Sequence, residues 1–251
     1  MLVLGIESSC DETAAAVVKD GKQLLSNVVS SSMDLHAQYG GVIPEIAARS
    51  HIEAILPVIQ QALDDAHCTW DDIDAIAVTK GAGLLGSLLI GVLTARTLAL
   101  TKNKPLYAVN HVEGHIYVNF VIKSTLPGYK LPAVQPEFPM LGVIVSGGHS
   151  QLVVWRNHFD YTLLGQTQDD AIGEAFDKVA KIIGLPYPGG INVSKKAALG
   201  NPHAFTLPKA KMEGRYDFSF SGLKTAVLRL AQEQTGNDYS LPSTKLPQLL
   251  S

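Results

Sequence analysis

The sequence predicts a two-lobed α/β protein, and three observations carry that prediction. A strand–turn–strand unit opens the chain and returns near its middle, so one local architecture occurs twice. Around the two copies, apolar residues at helical spacing alternate with short buried-strand runs, the pattern of parallel crossovers. The 251 residues are 46% hydrophobic and 17% charged, enough apolar surface for one large core or two smaller ones.

Leu2 to Ile6 and Thr13 to Val18 read as paired strands around the small, polar turn Ser8-Ser9-Cys10-Asp11-Glu12, and Leu24 to Ser30 reads as a third strand. After Pro44 and Glu45, the spacing of Ile52, Ile55, Leu56, Ile59 and Leu63 predicts a helix that Pro57 kinks or divides. Ile73 to Val78 reads as a buried strand, and Gly81-Ala82-Gly83 opens the next helix. With Leu106 to Val109, this makes a strand–helix–strand crossover. The hairpin pattern then returns as Met140 to Val145, the turn Ser146-Gly147-Gly148-His149-Ser150, Gln151 to Trp155, and a strand around Tyr161 to Leu164. Helices follow over Gly173 to Ile183, Asn192 to Ala198 and Leu223 to Gln234, whereas Asp238 to Ser251 carries little periodic signal. The lobes are expected over residues 1–120 and 121–251. Two lobes that each open on a hairpin with a small, polar tip resemble the actin-like nucleotide-binding fold, in which two such tips border a phosphate cleft.

Composition narrows the function. Cys10 and Cys68 are the only cysteines and have neither Cys-x-x-Cys nor zinc spacing, so neither a disulfide framework nor a thiolate metal site is expected. The longest apolar stretch, Gly81 to Ala95, contains four glycines and falls short of the ~20 apolar residues of a membrane span. It reads as a buried helix. No basic segment with an apolar stretch and cleavage site opens the sequence, so a reducing cytoplasm and no membrane are expected. The net charge of −3 opposes general nucleic-acid binding, but Lys178 to Arg229 holds nine Lys/Arg against Glu213 and Asp217, a local +7. Such asymmetry suits either a basic RNA-facing surface or a solvated helix face.

Four constellations carry chemistry. In His111-Val112-Glu113-Gly114-His115 two histidines four apart share a helix face and could share one metal ion; the alternative is a packed or surface pair. Glu113 lies two residues from each histidine, roughly 200° around the helix, so it cannot act as the general base of a zinc peptidase. Ser146-Gly147-Gly148 could cradle a phosphate on successive backbone N–H groups, or could simply be a tight turn. Gly173-Glu174-Ala175-Phe176-Asp177-Lys178, followed by Tyr187-Pro188-Gly189-Gly190, offers a carboxylate for ribose hydroxyls and a Gly-Gly helix start for a base or phosphate; a solvated Asp–Lys pair is the alternative. Asp217-Phe218-Ser219-Phe220-Ser221-Gly222-Leu223-Lys224-Thr225 is an aromatic and hydroxyl loop that could equally anchor itself in a core.

Together with Gly5 to Thr13 and Gly40-Gly41-Val42-Ile43-Pro44-Glu45, these stretches closely resemble, in order along nearly the whole chain, the TsaD family of bacterial tRNA N6-adenosine threonylcarbamoyltransferases. Members were once called O-sialoglycoprotein endopeptidases. The resemblance implies an actin-like, two-lobed α/β fold. It also implies His111 and His115 as ligands of one divalent ion, iron or alternatively zinc. Ile144, Val145, Ser146, Gly147 and Gly148 would line the nucleotide-carbamoyl site, Asp177 would hold ribose, Gly190 would pack near the base, and Ser194 would be another substrate contact. Asp11 and Glu12 fall where the first hairpin tip reaches the cleft and are the catalytic candidates, with the general base unassigned. Ala82 stands where the family usually has proline, as does Asn192, which changes helix starts more than chemistry.

The implied reaction moves the threonylcarbamoyl group from threonylcarbamoyl-AMP to N6 of adenosine 37 in tRNAs that read codons beginning with A. The implied partners are tRNA and companion subunits, an inactive actin-like paralogue and a small P-loop ATPase. Family members continue with further helices and strands, a glycine-rich loop and a late aspartate that is the third metal ligand. The second lobe is therefore expected to be incomplete here, and residues 1–251 alone to hold metal weakly and form no modified adenosine. Rival readings are an actin-like ATPase or small-molecule kinase, which has no need of the histidine pair, and a non-catalytic partner subunit of the same fold, which is expected to lack it.

Overall fold

Alternating burial builds the first sheet. In the computed structural model, which describes residues 1–235, β1 (Leu2–Glu7), β2 (Glu12–Lys19) and β3 (Gln23–Ser31) form an antiparallel meander. Leu4 and Ile6 on β1, with Thr13, Ala15 and Val17 on β2, are buried at every second position, as a sheet with one face in the core requires. β4 (Ala75–Gly81) and β5 (Leu106–Asn110) add in parallel beside β1, and the two-residue β6 (Lys123–Ser124) pairs with β3, giving the order β5-β4-β1-β2-β3-β6.

After the short α1 (Met33–Ala37), two long helices cover this sheet, α2 (Pro44–Asp65) and α3 (Leu85–Thr101). Ile55, Val58, Ile59 and Leu63 of α2, with Ala95 and Ala99 of α3, share one cluster with Leu4, Ile6, Val17, Ile76 and Val78. Each large aliphatic side chain buried there contributes about 1.5–3 kcal/mol relative to exposure, so the core fixes where the β1–β2 hairpin ends. Three sequence expectations change. α2 runs unbroken through Pro57; the ring lies on the exposed side, and burial of the opposite side outweighs one missing N–H donor. Ile52 and Leu56 are 60% and 59% exposed, because the buried face of α2 is carried instead by His51, Ile55, Val58, Ile59, Ala62 and Leu63. The apolar α3 is not buried all round: Leu85, Leu89 and Leu93 are at least half exposed. No helix among the described residues is long and apolar enough to cross a membrane.

β5 leads directly into α4 (His111–Tyr117) and a single 3-10 turn, Val118–Phe120. The first compact unit is Met1–Pro136 and the second Glu137–Ser251, so the division falls later than residue 120. Residues 121–136 stay with the first unit because β6 pairs with β3, Asn27 Nδ2 donates to Tyr129 Oη at 2.7 Å, and Gln135 Nε2 donates to the Phe120 carbonyl at 2.8 Å.

The second unit repeats the meander as β7 (Met140–Val145), β8 (Ser150–Asn157) and β9 (Asp160–Gln166). Trp155, 1% exposed, stacks on Tyr161 with centroids 4.5 Å apart. Whereas β1 is flanked by the parallel β4, no such neighbour of β7 lies among the described residues. Three helices follow, α5 (Ile172–Ile182), α6 (Gly189–Ala197) and α7 (Ser221–Thr235). The expectation for Asp238 to Ser251 lies outside the described residues.

Asp170 ties α5 to α7: its carboxylate meets Lys178 Nζ at 2.6 Å and Lys224 Nζ at 3.1 Å. The hydrogen bond from Lys178, aided by Lys224 against the cost of burial, holds the Asp170 carboxyl below its ordinary 3.8. A carboxyl lowered on folding stabilises the fold above its unfolded value, and that contribution is lost as pH falls through the folded value. Asp170→Asn is therefore expected to flatten the loss of thermal stability on acidification below about pH 4. Melting curves followed by circular dichroism at stepped pH check this, and parallel losses in both proteins would count against the tie.

Candidate functional site

Each unit presents a hairpin tip braced by helix starts, and the two tips are built differently. In the first unit the tip backbone, residues 8–11, is clamped from three helices. Ser87 Oγ of α3 and His51 Nε2 of α2 both lie 3.0 Å from the Cys10 carbonyl, and Leu84 N–H donates to the Ser9 carbonyl at 2.7 Å. Ser32 donates to the Asp11 carbonyl through its backbone N–H, at 3.0 Å, and its hydroxyl, at 2.6 Å. Ser32 is itself met by the buried His36 Nε2 at 3.1 Å. This fixes the backbone that carries Asp11 and Glu12 while leaving the Glu12 side chain exposed and Asp11 half-buried. Lost solvation, with the Asp11 and Glu12 charges adding to it, pushes the Cys10 thiol up to about 12. A thiolate nucleophile at this tip is thereby disfavoured.

His111 and His115 enter at the end of β5. Asn110 Oδ1 accepts from the N–H groups of Val112, at 2.8 Å, and Glu113, at 3.3 Å, capping α4. The two imidazoles meet edge to face with centroids 4.6 Å apart, and their Nε2 atoms are 3.0 Å apart. That separation suits two nitrogen donors at adjacent positions of one divalent ion, whose N ligands lie ~2.0–2.1 Å away. The donor set fits a borderline cation such as iron or zinc. No cluster of three or more His, Cys, Asp or Glu arranged for a metal occurs among the described residues. The histidines, with Glu7 and Gly114, also line a largely apolar cavity of about 770 Å³ on the sheet face that carries Val3, Gly5 and Ala16.

Sequence alone assigns Glu7 no role. It ends β1 with its carboxylate 3.3 Å from His111 Nδ1, and accepts from the Thr79 hydroxyl and the Ser9 N–H. Burial works to raise its carboxyl, but hydrogen bonds from His111, Ser9 and Thr79 prevail and lower it to about 2. The only signal for it in the sequence is a charged residue at the end of an otherwise apolar strand.

In the second unit the predicted residues lie on the hairpin tip and on the two helices that follow it. Ile144 is buried on β7 and Val145 is 64% exposed beside it. Ser146 Oγ braces the turn against His149 N–H at 3.0 Å, and Gly147 and Gly148 are exposed at the tip. α5 starts directly on this tip: Gly173 N–H donates to the Ser146 carbonyl at 3.2 Å, and Ile172 N–H to Ser150 Oγ at 2.9 Å. Asp177, one turn along α5, accepts from Gly189 N–H at 2.7 Å through Oδ1, joining α5 to the start of α6. A Cβ on Gly189 would lie 2.5 Å from Asp177 Cα, so the approach requires glycine. Gly190 and Ser194 lie on α6, Ser194 on its exposed side. Asn192 Nδ2 donates to the Pro186 and Pro188 carbonyls, each at 3.0 Å, so it pins the loop from within the helix.

The basic stretch is partly spent internally. Besides binding Asp170, Lys178 pairs with Glu174 at 2.8 Å, whereas Lys195, Lys196, Lys209 and Lys211 are exposed. The aromatic loop is tied down by Asp169, which accepts from Ser219 Oγ and from the N–H groups of Phe220, at 2.8 Å, and Ser221, at 3.3 Å. It holds the start of α7, which favours the anchoring reading.

Two meanders, each with a hairpin tip abutting the start of a helix, define an α/β protein of the actin-like class. Within that class the chain belongs to the TsaD family, described as tRNA N6-adenosine threonylcarbamoyltransferase, whose family model matches residues 23–246. It is 56% identical over 234 residues to the enzyme of that description from Thermomicrobium roseum, covering 93% of this chain and 63% of that one. To the Symbiobacterium thermophilum enzyme it is 56% identical, covering 92% and 65%, and to that of Dehalococcoides mccartyi strain BAV1 52%, covering 92% and 68%. The chain thus spans about two thirds of the length of the curated relatives it matches. Among solved structures, component A of the Acidaminococcus fermentans (R)-2-hydroxyglutaryl-CoA dehydratase aligns with a TM-score of 0.45 at 13% identity, covering 98% of this chain and 71% of that one.

Proposed function

We propose that the chain acts in tRNA N6-threonylcarbamoyladenosine formation, moving the threonylcarbamoyl group of threonylcarbamoyl-AMP to N6 of adenosine 37 in tRNAs that read codons beginning with A. The observation that carries this reading is the family match over residues 23–246, which takes in the histidine pair and the second hairpin tip. The adenosine amine attacks the carbamoyl carbon, the bond from that carbon to the AMP phosphate oxygen breaks, and the amine proton is lost. Backbone N–H groups of Gly147 and Gly148 face the phosphate and stabilise the charge that AMP gains on leaving. Asp177 uses Oδ1 for Gly189 and offers its second oxygen to ribose, while Gly190 leaves room for the base and Ser194 adds a polar contact. His111 and His115 would hold one divalent ion, iron or alternatively zinc. When bound, that ion supplies a Lewis acid for the threonylcarbamoyl carbonyl. The convergent histidine pair favours this transferase over an ATPase, a kinase or a non-catalytic partner.

A companion protein is part of the reading. Ile52, Leu56, Leu85, Leu89 and Leu93 expose half or more of their surface on α2 and α3, an apolar face suited to a protein partner such as an actin-like paralogue. A cytoplasmic site of action follows from the tRNA substrate. Depleting the gene product in its host and digesting total tRNA is expected to remove threonylcarbamoyladenosine from these tRNAs; retention of the nucleoside would overturn the function.

The exposed lysines of α6 and the following loop are assigned to tRNA. Charge reversal at Lys195, Lys196, Lys209 and Lys211 is expected to weaken tRNA binding and reduce the slope of log affinity against log salt by up to roughly 3, at about 0.7–0.9 for each phosphate no longer neutralised. Titrations at several salt concentrations measure the slope, and an unaltered value would return the lysines to a solvated surface.

A further inference from the structure

We infer that Glu7 is a positioning residue whose carboxylate fixes the proton of His111 on Nδ1 and so keeps the Nε2 lone pair turned toward the position shared with His115. The purpose of this device rests on the metal reading above; its geometry does not. His111 Nδ1 lies 3.1 Å from Ser9 Oγ and 3.3 Å from Glu7 Oε2. A serine hydroxyl can give or take a hydrogen bond, so Ser9 alone leaves both tautomers open. An ionised carboxylate can only accept. Thr79 Oγ and Ser9 N–H both donate to Glu7, which orients it as an acceptor. With Nδ1 bare, its lone pair would face that carboxylate; with Nδ1 protonated, the contact becomes a hydrogen bond and the other nitrogen is the one left bare.

The consequence reaches Nε2. His111 Nε2 lies at the hydrogen-bond distance of 3.0 Å from His115 Nε2, so in the metal-free protein one of the two carries a proton. With His111 held as Nδ1–H its Nε2 accepts from His115, whereas the Nε2–H tautomer would remove the His111 lone pair from the position where a cation has to sit. Without Glu7, the Ser9 hydroxyl can donate to Nδ1 and drive the proton onto Nε2. Glu7 and His111 are 104 residues apart in the chain, and they meet because β4 lies between β1 and β5. The β4 residue between them is Thr79, which orients the carboxylate.

The test is tautomer assignment in metal-free protein labelled with 15N-histidine, by long-range 1H–15N correlation above pH 8, with His111→Gln to assign the ring. In the unmodified chain His111 is expected to carry its proton on Nδ1. Glu7→Gln is expected to give mixed tautomers and Glu7→Ala the Nε2–H form, with Co2+ affinity 10–100-fold weaker in both. Circular dichroism melts establish that the variants are folded. An Nε2–H ring in the unmodified chain overturns the proposal without recourse to any variant, as does an unchanged tautomer in both folded variants. If the tautomer follows Glu7 but Co2+ binds neither the unmodified protein nor the variants, each extended to the length of the relatives, the positioning role stands and the metal reading fails.

Discussion

In the protein extended to the length of its relatives, divalent metal is expected to be lost on His115→Ala replacement, with modification of tRNA adenosine falling on the order of a hundredfold or more, since even residues behind the ligands alter affinity 10–100-fold. His115 is the cleaner of the two histidines to remove. It is exposed, whereas His111 is half-buried against Glu7 and Ser9, so its replacement would also unpick the first hairpin tip. A lone imidazole is a weak, exchangeable ligand, and the geometry offered by two Nε2 atoms 3.0 Å apart disappears with either one. The measurement is metal content after reconstitution with Fe2+ or Zn2+ and desalting, beside nucleoside analysis of modified tRNA. Retained metal with retained activity would remove the pair from the mechanism.

The fold is largely legible in the sequence because each signal lies within a few residues. Leu4 and Ile6, then Thr13, Ala15 and Val17, alternate as a half-buried meander must, and His111 and His115 are four apart on one helix. The shortfalls come from contacts that local spacing does not encode. Glu7 takes its place from Thr79 and His111, 72 and 104 residues away. His51 reads as one more polar residue of α2, until its ring is found 1% exposed between Thr13 Oγ1 at 2.7 Å and the Cys10 carbonyl at 3.0 Å. The apolar stripe of α2 is wide enough that spacing alone does not say which side faces the sheet, so spacing places Ile52 and Leu56 with the core. The basic stretch is overcounted for the same reason, since Lys178 and Lys224 are drawn inward by Asp170.

Two glycines at the second hairpin tip separate packing from ligand contact: replacing either by alanine is expected to weaken AMP binding, but only one of the two replacements is expected to lower stability. A Cβ on Gly173 would lie 2.7 Å from Gly147 Cα and from the Ser146 carbonyl oxygen, and 2.8 Å from Gly147 N. All three are backbone atoms, so the hairpin tip itself has to move. Such overpacking costs about 1–3 kcal/mol, and it displaces the N–H groups assigned to the phosphate. Gly173→Ala is therefore expected to lower thermal stability and to weaken AMP binding by about tenfold or more, since tenfold corresponds to only about 1.4 kcal/mol. Gly148 is the counterpart. A Cβ there meets nothing within 4 Å, so Gly148→Ala should melt with the unmodified protein. It nonetheless places a methyl group where the nucleotide phosphate is to approach the backbone, so AMP affinity should still fall about tenfold. Calorimetric titration with AMP beside thermal melts reads both quantities. If Gly148→Ala binds AMP as tightly as the unmodified chain, the tip is an ordinary hairpin turn and the nucleotide lies elsewhere.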